Sequence, residues 1–145
     1  MFILGKRSRQ RLEGVHPDLV LLVGHALGRS TVDFGVGEGL RSQERQNQLV
    51  DQGKSWTWRS KHLRQKDGYA HAVDLIATGD LDLDGDIDAT DRSLIWAPDI
   101  YRLIADAMCE AAADLGIQIR WGGDWDCDGD TGDENHFDGP HFELV

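Results

Sequence analysis

The segment that follows Pro98 constrains the fold most strongly, because its apolar residues recur at helical spacing as far as Leu115. These residues are Ile100, Leu103, Ile104, Ala107, Met108, Ala111 and Leu115. On a helix they form one wide apolar stripe, and Gly116 follows as a typical stop. A stripe of this width requires a surface to cover it, so the sequence predicts a helix that packs against a core.

Shorter patterns predict the other elements. Pro17 opens a second amphipathic helix that closes at Gly28, and Ser42 caps a third that continues to about Gln52. Alternating apolar and polar residues predict four short strands, at 32–36, 71–77, 117–121 and 140–145. Helices interspersed with short, returning strands indicate the α+β class. We therefore expect a small antiparallel sheet with packed helices.

Length and charge limit the classes of protein to consider. The chain has 145 residues, which suits a single domain over 1–145. Its formal net charge of −11 would repel a phosphate backbone and argues against nucleic acid as a partner. No apolar run approaches the roughly 20 residues of a membrane span, and the first residues do not have the order of a signal peptide. The sequence thus predicts no membrane insertion and no export by a signal peptide.

Two acidic segments contain twelve of the 26 acidic residues. The first matches the spacing of an EF-hand calcium loop, with Gly85 at its sixth position and Asp in place of Glu at its twelfth. Its candidate ligands are Asp80, Asp82, Asp84, Asp86, Asp88 and Asp91. A solvated acidic turn is the alternative, but alternating carboxylates repel one another when no cation is bound. We therefore expect calcium in this loop.

The second acidic segment repeats the beginning of the same pattern. Its candidate calcium ligands are Asp124, Asp126, Asp128, Asp130, Asp133 and Glu134. The twelfth position would be Asn135, so the closing carboxylate has to come earlier, from Asp133 or Glu134. A solvated loop beside a functional site is the alternative. Because this segment immediately precedes Asp138 and His141, we expect a calcium ion here to order the loop and to modulate activity.

Three of the six histidines stand in informative surroundings: His62, His71 and His141. Two imidazoles and one carboxylate leave the fourth position of a zinc tetrahedron open for water, as a hydrolytic zinc site requires. Spacing alone does not decide which two histidines would bind.

Several motifs, in order, closely resemble one family over nearly the whole chain. They are Glu38-Gly-Leu-Arg-Ser42, Ser60-Lys-His62, Ala72-Val-Asp-Leu75, Arg120-Trp-Gly-Gly-Asp-Trp125 and Asp138-Gly-Pro-His-Phe-Glu-Leu144. The chain resembles phage endolysins of the VanY-like zinc peptidase family, which are L-alanyl-D-glutamate peptidases of the D-Ala-D-Ala carboxypeptidase superfamily. The resemblance implies a hedgehog/DD-peptidase fold.

The resemblance also implies roles for individual residues. The zinc ligands would be His62, Asp74 and His141, the general base would be Asp138, and Arg41 would bind substrate and stabilise developing charge. The spacing from His62 to Asp74 departs from the family's shorter motif, with an apparent insertion at 63–68. His71 and Glu143 are then expected to support the ligands, Glu143 by orienting His141 along the same strand face.

The functional expectation is a calcium-modulated zinc enzyme that hydrolyses the L-Ala–D-Glu bond of the peptidoglycan stem peptide. We expect it to act as a monomer, to be made in the host cytoplasm, and to reach the cell wall after holin-type release. The alternatives are a D-Ala-D-Ala carboxypeptidase and a non-catalytic, calcium-dependent wall-binding module.

Overall fold

The computed structural model describes residues 1–55, 57–124 and 137–145. Its helices are α1 (Lys6–Arg11), α2 (Pro17–Arg29), α3 (Gln43–Asp51), α4 (Ala89–Leu94) and α5 (Pro98–Leu115). Its strands are β1 (Asp33–Glu38), β2 (Ala72–Thr78), β3 (Ile119–Trp121) and β4 (His141–Leu144). The strands form one antiparallel sheet in the order β1-β2-β4-β3.

The register of the sheet aligns three polar residues in one row. Glu38 pairs with Asp74 across β1 and β2, and Asp74 pairs with His141 across β2 and β4. A bulge between Val36 and Glu38 makes this row possible, because an unbroken ladder would have placed Gly37 opposite Asp74. One extra residue in β1 therefore brings a carboxylate next to Asp74.

The core lies on the other face of the sheet. Val73, Leu75 and Ala77 of β2 are buried there, and Phe142 and Leu144 of β4 alternate with the polar row. Helices α2 and α5 pack against each other, and α5 also contacts β2 and β3. The apolar face of the sheet is thus buried, while its polar face remains available for a site.

The α+β class and the small antiparallel sheet are confirmed. Helix α5 has its expected bounds, with Gly116 in the left-handed conformation at its end, and Ser42 caps α3 by accepting from the Arg45 amide. Helix α2 continues one residue beyond the expected stop at Gly28. The two short helices α1 and α4 were not predicted. Among the described helices, none is long and apolar enough to cross a bilayer.

Candidate active site

Three side chains meet on the polar face of the sheet. His62 Nε2 lies 3.1 Å from Asp74 Oδ1, and His141 Nδ1 lies 3.5 Å from the same oxygen. Potential ligand atoms of the three residues all lie within 4.8 Å of one another, which is close enough for a metal ion. The structure thus brings together the set that the sequence singled out, two imidazoles and one carboxylate.

His62 presents one defined nitrogen to this group. Its Nδ1 is 2.8 Å from the carbonyl oxygen of Gly39 and must donate to it, because a carbonyl can only accept. Its other nitrogen, Nε2, faces the Asp74 carboxylate and is the one that would bind a metal. The backbone holds the segment in place, since the Arg41 amide donates to the carbonyl oxygen of His62 at 2.8 Å. A nitrogen fixed in this way is suited to bind a metal.

His141 is oriented by Glu143, two residues along the same strand. His141 Nε2 donates to Glu143 Oε1 at 2.9 Å, which leaves Nδ1 facing Asp74. Burial alone would lower the pKa of His141, but hydrogen bonds to Asp74 and Glu143 raise it to about 9. For Asp74, burial acts in the opposite direction, but hydrogen bonds with His141 and His62 hold its pKa well below the usual range. Without a metal, the group is therefore a charged network in which His141 carries a proton at neutral pH.

Arg41 lies beside this group and is held by two residues whose roles the sequence did not reveal. Its Nε and one Nη donate to the two carboxylate oxygens of Glu38 at 2.7 and 2.8 Å, and its other Nη donates to Gln46 Oε1 at 2.6 Å. Arg41 Nη2 also lies 3.8 Å from Asp74 Oδ2. Burial would raise the pKa of Glu38, but the hydrogen bond and charge of Arg41 lower it. The guanidinium is therefore fixed in position and balanced by carboxylates.

Gln46 connects Arg41 to the rest of the fold. It is a polar residue on α3 that is fully buried, and its Nε2 donates to Ser55 Oγ and to the carbonyl oxygen of Thr57. A buried amide needs such partners. Gln46 thereby ties α3 to the loop that leads to His62.

Asp138 lies at the edge of the site, where its side chain remains accessible. Its position is fixed by the backbone, because the Asp138 amide donates to the carbonyl oxygen of Gly122 and the His141 amide donates to the carbonyl oxygen of Asp138. A Cβ at Gly122 would overlap that same Asp138 carbonyl. Partial loss of hydration and the charge of Asp74 raise the pKa of Asp138.

All these side chains except Gln46 line one open pocket with a volume of about 990 Å³. Its lining also includes Trp96, which is 65% exposed, and a set of cationic residues. Those cations are Arg41, Lys54, Arg59, Lys61 and Arg120. Because four carboxylates also line the pocket, its formal charge is close to neutral, in contrast to the net charge of −11 for the whole chain.

The structure places His71 outside this pocket. Its Nε2 bonds to Asp67 Oδ2 at 2.7 Å, and its ring meets the His16 ring edge-on. His16, Asp67 and His71 form a second group with ligand atoms within 4.8 Å of one another. The structure therefore does not bring His71 to the group of His62, Asp74 and His141.

The first acidic segment folds so that Asp80, Asp82 and Asp91 come together as a third group that could hold a metal. Asp91 is buried and accepts from the amides of Leu81, Asp82 and Asp88. Asp88 caps α4 by accepting from the Thr90 amide, so it serves a helix end. The remaining candidates, Asp84 and Asp86, are exposed.

The second acidic segment falls almost entirely outside the described residues. Of its candidates, only Asp124 belongs to the described part, where its amide donates to the carbonyl oxygen of Trp121. The others, Asp126, Asp128, Asp130, Asp133 and Glu134, lie outside it.

An open pocket that combines a group able to bind a metal with a carboxylate and a fixed guanidinium has the composition of a hydrolase site. The profile of the family described as phage L-alanyl-D-glutamate peptidase matches residues 1–145. The chain is 32% identical to an L-alanyl-D-glutamate peptidase of Escherichia phage T5, over 99% of this chain and 98% of the relative.

A solved structure agrees with the sequence match. The crystal structure of the Serratia marcescens L-Ala D-Glu endopeptidase ChiX superimposes with a TM-score of 0.73 at 40% identity, over 99% of this chain and 90% of that one. The chain belongs to the phage L-alanyl-D-glutamate peptidase family.

Proposed function

We propose that residues 1–145 form a single zinc peptidase domain that hydrolyses the L-Ala–D-Glu bond of the peptidoglycan stem peptide. The observation that carries this proposal is the group of His62, Asp74 and His141 in a pocket that also contains Asp138. Two imidazoles and one carboxylate are a common donor set for catalytic zinc. The orientation of the His62 ring supports the fit, because Gly39 holds Nδ1 and Nε2 faces the other proposed ligand, Asp74.

A zinc ion held by these three residues would supply a Lewis acid that makes water a nucleophile at neutral pH. Asp138 would take the proton from that water and return it to the leaving amine. Its raised pKa supports this role, because a stronger base accepts the proton more readily. Glu143 would keep His141 in the orientation required for binding.

Arg41 would contribute positive charge beside the three proposed zinc ligands, since it lies 3.8 Å from Asp74 Oδ2. Its guanidinium is already fixed by Glu38 and Gln46, so little reorganisation is needed when negative charge develops on the scissile carbonyl oxygen. This arrangement favours a role for Arg41 in charge stabilisation over one as a mobile substrate clamp.

Calcium modulation is proposed at the first acidic segment. Partial dehydration and the charges of Asp84 and Asp91 raise the pKa of Asp82 to about 6, which indicates that these carboxylates lie close together. Calcium should therefore raise the melting temperature of the wild type, by mass action, and raise it less in Asp82→Asn. Equal shifts in both proteins, measured by calorimetry after chelator treatment, would contradict a site that includes Asp82. The same role is proposed for the second acidic segment.

We further propose that the enzyme is a monomer, that it is made in the host cytoplasm, and that it reaches the wall after holin-type release. Support for action on the wall comes from the phage peptidase family to which the chain belongs.

The test is mass spectrometry of purified peptidoglycan digested with zinc-loaded protein. We expect stem peptides that begin with D-Glu, and about a hundred-fold or greater loss of their release in Asp138→Asn. Asp106→Asn is the matched control, because it makes the same change at an exposed position of α5. Release of free D-Ala without such peptides would instead indicate a D-Ala-D-Ala carboxypeptidase. Wall binding without any released product would indicate a non-catalytic binding module.

A further inference from the structure

Positive charge is unevenly distributed around the candidate active site. On one side, Arg41 is matched by two carboxylates, since it bonds to Glu38 and lies 3.8 Å from Asp74 Oδ2. On the other side, Lys61 and Arg120 both act on Glu143. Among the described residues, the second side therefore has the larger excess of positive charge.

The backbone places this second pair close to the proposed ligands. Lys61 directly precedes His62, and its Nζ donates to the carbonyl oxygen of Leu144 at 3.3 Å. Arg120 on β3 pairs with Glu143 on β4, two residues from His141. Both cations line the pocket. Their charges lower the pKa of Glu143, although burial and the His141 hydrogen bond have larger effects.

Glu143 has a single negative charge and cannot neutralise both cations, and its Oε1 also accepts from His141 at 2.9 Å. One carboxylate therefore faces two cations, one of them an exposed arginine. An anionic group of the substrate is the natural complement of such a pair.

The substrate of the proposed reaction provides an anionic group next to the bond that is cut. D-Glu has two carboxyl groups, and a single onward amide bond uses only one of them. The other carboxylate remains free on the residue that supplies the leaving amine. Some stem peptides instead have this group as an amide, which has no charge.

We propose that Lys61 and Arg120 form a subsite for the free carboxylate of the D-Glu residue, so that the enzyme distinguishes stems with a free carboxylate from amidated stems. This inference rests on the proposed function and adds the chemical group that determines substrate choice. A charge-assisted hydrogen bond to the carboxylate favours the free form by about ten- to a hundred-fold in kcat/KM.

The experiment compares two synthetic stem peptides that differ only in this carboxylate or amide, each cut by zinc-loaded protein. Wild type should prefer the carboxylate form, and Lys61→Met and Arg120→Gln should each reduce the preference, mainly through a higher KM for that form. Lys66→Met and Arg102→Gln are matched controls, since they remove exposed cations outside the pocket lining, and they should retain the wild-type preference.

Cleavage of the amidated peptide serves as an internal measure of folding and catalysis. If wild type cuts both peptides equally, or if both variants keep the wild-type preference, the subsite does not exist. If the preference is lost only in Lys54→Met or Arg59→Gln, the carboxylate binds elsewhere and the assignment is wrong. If neither peptide is cut between L-Ala and D-Glu, the proposed function itself fails, a result distinct from equal cleavage of both.

Discussion

Glu38→Gln tests whether the carboxylate brought into the polar row by the β1 bulge stabilises Arg41. The substitution preserves shape and one acceptor oxygen but removes the charge that faces the guanidinium. The Arg41 side chain is 8% exposed, so it would lose its closest counter-charge in a mostly buried position. Gln46 Oε1 would remain as a partner at 2.6 Å.

The magnitude of the effect follows from the exposure of the two partners. Removal of one member of a fully buried ion pair costs about 3–5 kcal/mol, whereas exposed pairs contribute about 0.2–1 kcal/mol. The Glu38 side chain is 32% exposed, so solvent screens part of the interaction. We expect the free energy of unfolding to fall by about 2 kcal/mol at pH 7, with a melting temperature lower by roughly 5–10 °C.

The stability difference between wild type and Glu38→Gln should depend on pH. Arg41 lowers the pKa of Glu38 in the folded chain, so the pair stabilises the fold above the unfolded pKa of about 4.3. That contribution is lost as the pH falls through the folded pKa, because protonated Glu38 resembles Gln. The difference between wild type and Glu38→Gln should therefore be largest near neutral pH and should shrink below about pH 4.

Urea unfolding of chelator-treated protein between pH 7 and pH 3.5 measures this difference. Glu110→Gln is the control, because it makes the same change at an exposed position of α5 and should have little effect. If Glu38→Gln has the same free energy of unfolding as wild type at pH 7, or if their difference does not vary with pH, Glu38 is not the charged partner of Arg41.

Two further substitutions test the position of Asp138 and the orientation of His141. Gly122→Ala should shift Asp138 and reduce kcat about a hundred-fold, because the new Cβ would overlap the Asp138 carbonyl. Gly24→Ala is the control and should leave kcat unchanged, because a Cβ at that position would meet nothing within 4 Å. Glu143→Gln should move the pKa of His141 downward from about 9 in chelator-treated protein, as followed by NMR titration. It should also weaken zinc binding by about 10- to 100-fold in calorimetry, and an unchanged affinity would exclude an orienting role for Glu143.

Local patterns were sufficient to predict the three longer helices and the four strands of the fold. Helix α5 follows from its apolar stripe and from Gly116, and α3 follows from the Ser42 cap, because these signals lie within a few residues of the structure that they specify. Helix α4 was not predicted, because Asp88 and Asp91 fit the spacing of a calcium loop and were interpreted as calcium ligands. In the structure, the same two side chains form the capping box of that helix.

The arrangement of the site depends on long-range register, which no local pattern contains. Chemistry and family motifs drew attention to His62, Asp74 and His141, yet the row of Glu38, Asp74 and His141 exists only because of the bulge in β1. The support from Gln46 likewise depends on where α3 packs. Residues that position others are thus harder to predict than residues that carry the chemistry themselves.

The insertion between His62 and Asp74 closes on itself rather than stretching between the two residues. The His71 amide donates to the carbonyl oxygen of Lys61, and the Gln65 amide donates to that of Tyr69, each at 2.8 Å. His62 is anchored by Gly39, and Asp74 by the sheet, so neither position depends on the length of chain between them. Closing a longer loop costs conformational entropy that grows only with the logarithm of its length. A search that demands a fixed number of residues between metal ligands would therefore discard enzymes in which the ligands occupy the same positions in space.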